Sequence, residues 1–524
     1  MSAVRERQAR RVVAVGVLIL VAFACTAGLR PLQLPDEGRY VGVAWEMLHS
    51  GDWLTPTLDG LPFLHKPPLF YWITAAALSV FGANEWAARM APLLGAWVGA
   101  FGMYLFVRRW RDERSAVLTA LALVVQPLQF LGGQFANLDM LVAGLITATI
   151  LLLAHAALGV EQRLPQRGAL LAAYACAALG VLAKGLIGAV LPALVIGAWL
   201  LVRRRWRTLF ALASPLGVLL FLLLAAPWFV VMQLRFDGFL DYFFVVQHFK
   251  RFAAGGFNNV QPAWFYIAVV SLFTLPWLPW LARLAWLPAD GARARELRAL
   301  MLVWIVVVVG FYSIPQSKLV GYVLPAVPPL GFLLAEALSA VAQPTTRSRQ
   351  LWGLSAALSA AAGVVAVVIV LSGQWQYSSL QVARRLAGER AAGEPVFMVG
   401  RYYYDVPFYA RLHGPVTVVA DWSQPDVRIV DNWRKELADA ADFRPSLAAR
   451  RLLLPAALPA ALCIEPVSWV IGNTGDVQRL PFLAEAAVAY SGRDATLWKV
   501  DRRRPGLASA LACAQRPSAG SEDR

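Results

Sequence analysis

Long apolar blocks recur along most of the chain, among them Val12–Leu29, Leu138–Leu158, Thr208–Met232, Ala299–Ile314 and Trp352–Leu371. Such blocks match the ~20 residues that a helix needs to cross a hydrocarbon core ~30 Å thick. Short polar stretches separate them, so the pattern predicts a polytopic α-helical membrane protein of about 11 transmembrane helices (range about 11–13). Leu69–Phe81 is too short to span comfortably and begins with aromatic residues, which predicts an interfacial or re-entrant helix beside a first outer loop over 30–68. Near Gln374 charged and turn residues return. Nothing beyond that point spans a membrane, so 1–373 reads as the transmembrane domain and 374–524 as a soluble one. Within the latter, Pro395–Gly400 and Pro415–Ala420 read as short buried strands around a helix, the pattern of a small α/β unit. Arg502–Arg524 has the composition of a disordered terminal tail.

Composition agrees: 59% of residues are hydrophobic and 15% charged, against roughly 45–50% and 25% in an average soluble protein. The formal net charge of +16 would suit nucleic acid, but no basic face or reading motif appears, and that class is set aside. The basic residues fall instead in short clusters between apolar blocks, as in cytoplasmic loops. With Arg5–Arg11 placed in the cytoplasm, clusters recur at every second loop: Arg108 to Arg111, 161–167, Arg203 to Arg207, Arg293–Arg298 and Arg347–Arg349. The loops 32–68, 132–137, 233–261 and 315–318, the turn at Lys184 and the C-terminal domain then lie outside. No small-residue cleavage site follows the first block, so it reads as a signal anchor. Of the four cysteines, Cys25 and Cys176 lie in apolar blocks and read as packing residues. Cys463 and Cys513 lie in the external domain, where a disulfide and two unpaired thiols are equally open readings.

The outer face carries most of the unusual polar residues. Asp36 and Glu37 stand together just after the first span, followed by Arg39 and Tyr40. Adjacent carboxylates at a membrane boundary are costly unless used or paired. A helix N-terminus, with Asp36 capping and Arg39 pairing, is the plain alternative. Lys66, in the run His65-Lys66-Pro67-Pro68, sits beside a rigid proline pair and is a ready phosphate partner; a lysine snorkelling to the interface fits equally well. Asp139 and Lys184 mark the outer ends of two spans, where isolated charges default to function. Two further outer clusters are Gln247-His248-Phe249-Lys250-Arg251-Phe252 and Gln316-Ser317-Lys318-Leu319, the latter followed by Tyr322. Acids, histidines and cations gathered on one side of a membrane suit an anionic, phosphate-bearing lipid substrate.

As an ordered set running from Asp36-Glu37-Gly38-Arg39-Tyr40 through Lys66-Pro67-Pro68, Leu138-Asp139-Met140 and Ala183-Lys184-Gly185 to Tyr322-Val323-Leu324-Pro325, these motifs resemble the bacterial lipid A aminoarabinose transferase family. That family is related to the protein O-mannosyltransferases. The resemblance implies the integral-membrane glycosyltransferase (GT-C) fold, with 1–373 as the catalytic domain. It also implies an inverting glycosyltransferase of the bacterial inner membrane, N-terminus cytoplasmic and C-terminal domain periplasmic. Such an enzyme takes a sugar from a polyprenyl-phosphate-linked donor and passes it to lipid A or another envelope acceptor. By the same resemblance Asp36 is the catalytic base or acceptor-positioning group, supported by Glu37 and Arg39, and Asp139 a second catalytic carboxylate. Lys66, Lys184, Arg251, Tyr322 and Lys318 would contact the donor and its phosphate. One departure is His65, where the family has a glutamate that can hold a divalent metal with a histidine matching His248. Two imidazoles suit zinc, with magnesium or manganese as the other candidates, but two protein ligands are thin for a structural metal.

Two other readings stand beside this one. The fold can serve a different acceptor, as in a protein O-mannosyltransferase-like enzyme or another envelope-glycan transferase. A membrane transporter would use intramembrane charges differently, with repeat symmetry and charges near mid-span. Here the charges cluster at one face, no repeat is clear, and the long first outer loop is hard to explain in a carrier. An inactive scaffold is disfavoured by the retained Asp36, Lys66 and Asp139.

Overall fold

The computed structural model describes residues 2–250, 259–289, 291–339, 345–372, 378–493 and 495–513. The chain forms two compact units: Met1–Arg30, Trp53–Thr55 and Leu64–Ser372 make the first, and Pro31–Asp52, Pro56–Phe63 and Gly373–Arg524 the second.

The first unit is helical, as the apolar blocks predict. Among the described residues seven helices are long and apolar enough to cross a membrane, or nine if each of two bent pairs is one span. Leu69–Phe81 and Ile187–Val202 are shorter apolar helices. The helix Ser2–Ala24 opens with the arginines of the N-terminal basic cluster. Both bent pairs break next to proline. Gln126 precedes Pro127 and is extended (φ −72°, ψ 120°), as the residue before a proline prefers, and the chain turns there by 66°. The Gln126 side chain accepts from the Gln129 N–H at 3.0 Å and donates to the Phe273 carbonyl at 3.3 Å. Phe273 ends the helix before the second break, where the bend is 73°. Backbone groups freed inside a membrane have no water to turn to; one glutamine serves both breaks.

Lipid removes most of the hydrophobic drive for helices to associate, so close packing through small residues replaces it. A Cβ added at Gly144 would lie 2.2 Å from the Gly95 carbonyl oxygen, and one at Gly95 would lie 2.3 Å from that of Met140. Met90–Trp110 and Leu138–Glu161 therefore touch backbone to backbone. The next hairpin repeats the device, since a Cβ at Gly188 would meet the Gly180 carbonyl carbon at 2.2 Å. Gly185, at φ 109°, makes the turn that ends the helix at Lys184.

The second unit is α/β. Strands β1 (Thr57–Leu58) and β2 (Leu61–Pro62) form a small antiparallel hairpin. Its tip, Asp59 and Gly60, takes the positive φ values that tight hairpins need (55° and 74°). Strands β3 (Val396–Val399), β4 (Thr417–Val419), β5 (Leu452–Leu453), β6 (Val467–Gly472), β7 (Ala487–Ser491) and β8 (Thr496–Asp501) form one sheet in the order β5-β4-β3-β6-β8-β7. The first four are parallel, and β8 runs antiparallel to both neighbours. Both predicted strands are present as β3 and β4, with the helix Val406–Tyr409 between them. Every residue of β3 and β6 is buried, as in parallel strands covered on both faces. Phe397, Val419, Val470 and Trp498 pack with Leu458 and Leu462 beside the sheet. Cys463 and Cys513 form a disulfide with Cα atoms 5.6 Å apart. Closing a loop of that 50-residue separation stabilises by ~4 kcal/mol on chain-entropy grounds.

The helix Asp36–Ser50 belongs to this second unit. The Trp45 indole donates to the Leu412 carbonyl at 2.7 Å, and the Tyr409 hydroxyl accepts from the Leu32 N–H at 2.7 Å. Glu46, further along the helix, holds the hairpin: its carboxylate accepts from the Thr57 hydroxyl at 2.8 Å and from the backbone N–H groups of Asp59 and Gly60 at 2.7 and 2.9 Å. Asp59 in turn accepts from the Val416 N–H at 2.8 Å. Burial pushes Glu46 up to about 7, against these hydrogen bonds. Burial, reinforced by the Glu46 charge, raises Asp59 well above its ordinary value.

Two outcomes are expected. Gly144→Val should lower the melting temperature of the detergent-solubilised protein by roughly 5 °C or more, through overpacking. Gly197→Ala, where an added Cβ meets nothing within 4 Å, should leave it unchanged; equal effects of the two would remove the backbone contact as an explanation. A carboxyl raised from 4.5 to about 7 on folding contributes stability that is complete below the lower value and lost as pH rises through the higher one. The melting temperature of Glu46→Gln relative to wild type should therefore climb by roughly 2–6 °C between pH 5.5 and pH 8.5, and a pH-independent difference would contradict it.

Candidate functional site

Each unit carries one cluster of the residues singled out from sequence. In the membrane unit, Asn137 caps the helix Leu138–Glu161, accepting from the Asp139 N–H at 2.9 Å while its amide donates to Asp139 Oδ2 at 3.3 Å. Asp139 is buried. Lys184, the last residue of its helix, donates to Asp139 Oδ1 and stands 4.3 Å from the Tyr322 ring centroid. Tyr322 belongs to the 3₁₀ segment Val320–Ala326, and a Cβ at Gly321 would lie 2.3 Å from Asp139 Oδ2. Only glycine lets this backbone come so close to the carboxylate. Tyr312 lies 5.5 Å from Tyr322, and Tyr266 lies 6.2 Å from Tyr312, with its hydroxyl donating to the Leu319 carbonyl at 3.1 Å. Tyr312 and Tyr266 extend the cluster. As aromatic residues near apolar spans they gave no signal apart from the spans themselves.

Lys318 is buried, its ammonium donating to the carbonyls of Gln261 at 2.9 Å and Pro315 at 2.5 Å. An ammonium has three donors, so these two bonds aim the remaining N–H. Lys66 is half-buried at the turn before the helix Leu69–Phe81. His65 beside it is buried, with its ring centroid 5.7 Å from that of Tyr242. His248 falls in the π-helical segment Asp241–Lys250, but its side chain lies outside the described residues, as does all of Arg251. Among the described residues no three His, Cys, Asp or Glu side chains come together as a metal site. Of the two residues named for a divalent metal, only His65 has a described side chain.

In the second unit, Asp36 opens the helix Asp36–Ser50, and the preceding Pro35 offers no side-chain cap. Arg39 pairs with Asp36 one turn back and, through its other terminal nitrogen, with Glu436. Glu436 is buried on the helix Trp433–Asp442 and also accepts from the Tyr404 hydroxyl at 2.5 Å. Burial works against the Arg39 charge, but Glu436, Tyr40 and Asp36 around it raise its pKa well above the ordinary value. The guanidinium thus stays charged between two carboxylates. Glu37 is buried and accepts from the Gln33 N–H at 2.9 Å. Gly38 lets Tyr404 and Asp405 approach, since a Cβ there would meet the Tyr404 Cβ at 3.0 Å and the Asp405 nitrogen at 3.0 Å. Neither Glu436 nor Tyr404 was marked by its sequence neighbourhood; both act 365 or more positions away from Arg39 in the chain, at separations that local pattern does not carry.

Residues 65–230 match the family model of the dolichyl-phosphate-mannose-protein mannosyltransferases. The undecaprenyl phosphate-α-4-amino-4-deoxy-L-arabinose arabinosyl transferase of Pseudomonas aeruginosa is 32% identical over 334 residues, which cover 61% of this chain and 59% of that protein. A counterpart from Sodalis glossinidius is 34% identical over 314 residues, covering 58% and 55%. These matches span less than two thirds of the length of either relative. The crystal structure of ArnT from Cupriavidus metallidurans bound to undecaprenyl phosphate is 24% identical, with a TM-score of 0.78 over 93% of this chain and 97% of that one. The shared fold is that of the integral-membrane glycosyltransferases, with a C-terminal sheet domain, and the chain is a multi-pass membrane protein. The chain is thus similar, over part of their length, to the undecaprenyl phosphate-linked aminoarabinose arabinosyl transferases, and it shares the fold of the solved ArnT structure.

Proposed function

We propose that the protein is an inverting glycosyltransferase that moves a sugar from a polyprenyl phosphate carrier to an envelope acceptor such as lipid A, on the periplasmic face of the inner membrane. The observation that carries this reading is the Asp139–Lys184 pair under Tyr322, a half-buried cation held by a buried carboxylate at the end of an apolar helix. Buried charges in membranes mark ligand sites more often than structural ones. The relatives' names, with their undecaprenyl-linked sugar, supply the donor class. The Cys463–Cys513 disulfide supports an oxidising compartment for the C-terminal domain.

In this reaction an acceptor oxygen attacks the anomeric carbon as the bond from that carbon to the phosphate oxygen breaks. The electron pair leaves with the polyprenyl phosphate, and configuration inverts. Electrostatic stabilisation of the departing phosphate is the largest contribution. Lys184 serves it, aimed by Asp139 and Tyr322, and Lys66, Lys318 and Arg251 serve the same phosphate. A hydroxyl acceptor gives its proton to Asp36 as general base. A lipid A phosphate is already ionised, and Asp36 then only orients it. No step is routed through a metal. A second reading, transfer to a Ser or Thr hydroxyl of an exported protein, is favoured by the mannosyltransferase match over 65–230.

Mass spectrometry of lipid A and envelope glycans from wild-type, deletion and Asp36→Asn cells, at equal membrane levels, tests the reading. A sugar-sized mass lost from one acceptor in the deletion names that acceptor; no change in any glycan would sink the transferase assignment. In vitro, Asp36→Asn should lower kcat by roughly 10²–10⁴ for a hydroxyl acceptor and by less than about 10-fold for a phosphate acceptor that needs no base. Glu436 is a positioning residue. With Glu436→Gln, Arg39 loses one of its two carboxylate partners and is no longer held in place beside Asp36. For a hydroxyl acceptor, kcat should fall by roughly 10-fold with KM for the donor unchanged, and Glu436→Asp should recover most of the loss; a fall that tracks a lowered melting temperature would assign Glu436 a folding role instead.

A further inference from the structure

Away from these residues the membrane unit carries a groove of about 420 Å³ lined by the helices Met90–Trp110 and Leu138–Glu161, with Ala169 of the helix Arg167–Lys184. Its walls are apolar, formed by Trp97, Phe101, Leu105 and Leu152, whereas Arg109 and His155 line one end. Trp97 and Phe101 stack at 5.2 Å, and the Trp97 indole is anchored by donating to the Gly16 carbonyl at 2.9 Å. From Trp97 to Arg109 a helix rises ~18 Å at 1.5 Å per residue. One leaflet's hydrocarbon is half of ~30 Å. The groove is thus about as long as one acyl chain is deep, and much shorter than a polyprenyl chain.

Its charged end is built for an anion. The Trp110 indole donates to His155 Nδ1 at 3.1 Å, so the imidazole carries its proton on Nε2 and offers a donor there. Arg109 is exposed, stands 5.3 Å from the Trp110 ring centroid and, among the described residues, makes no ion pair. Arg293 covers the same indole at 4.8 Å. Two guanidiniums therefore flank one ring. Glu113, the acidic residue on the following helix, is held by Arg108 at 2.5 Å and the Tyr104 hydroxyl at 2.6 Å.

We propose that this groove binds an anionic diacyl phospholipid of the adjoining leaflet, one acyl chain lying along Trp97, Phe101 and Leu105 and the phosphodiester resting on Arg109 and His155 Nε2. Charge complementarity and one-leaflet length select this occupant over a zwitterionic lipid and over the polyprenyl carrier. The site is separate from the Asp139–Lys184 cluster and does not depend on which sugar or acceptor the enzyme uses.

The test uses the full-length protein in nanodiscs containing equal phosphatidylglycerol and phosphatidylethanolamine, transferred to detergent and weighed by native mass spectrometry. Wild type should retain phosphatidylglycerol over phosphatidylethanolamine by roughly 5-fold or more, the preference expected of one basic residue at a headgroup. Arg109→Gln should bring that ratio close to unity, and Ala148→Phe, which fills the groove wall, should remove both lipids. An unchanged ratio in Arg109→Gln would overturn the proposal, and so would a wild type that retains no lipid or retains added polyprenyl phosphate instead. If Ala148→Phe fails to accumulate, the exposed Arg109→Gln decides alone.

Discussion

Lys184 ends one apolar helix and Asp139 begins another, and neither charge would be tolerated there alone. An unpaired buried charge costs several kcal/mol, so the ion pair ties two helix ends together and dictates what must surround them. Gly185 turns the chain directly after the lysine, and Gly321 brings the backbone of Val320–Ala326 against the carboxylate. Tyr322 then covers the ammonium. The Gly95–Gly144 contact sets how closely the Asp139 helix approaches its neighbour. Close backbone contact and a paired charge are two answers to one condition, which is that lipid supplies neither water nor hydrophobic drive.

The same condition explains the two bent helix pairs. Proline just after a break frees carbonyls, and Gln126 bonds across from one break to the other. A soluble protein would leave such groups to water. Here the satisfaction has to be internal, and it locks the two bends to each other.

The second unit solves a different problem, since water can reach its surface. It holds charge in chosen places. Arg39 stands between Asp36 and Glu436, so the carboxylate at the start of the helix never faces the guanidinium alone. Glu46 gathers a hydroxyl and two backbone N–H groups around the hairpin tip, and Asp59 passes the connection on to Val416. An early segment of the chain is thereby built into a domain whose sheet is formed more than 300 positions later.

By itself the sequence determined the helical membrane class, the strands at β3 and β4, and the charged residues at the ends of spans. Each is written locally: hydrocarbon thickness acts on runs of composition, and a two-sided strand on a run of buried residues. The residues matched by family likeness were legible only as a list. Which of them meet was decided by tertiary structure, because Asp139 and Lys184 are 45 positions apart and Arg39 and Glu436 are 397. The disulfide, left open by cysteine counting, needed Cα atoms brought to 5.6 Å. No local pattern encodes such distances; they follow from which helices pack, and that depends on backbone contacts between glycines far apart in the chain.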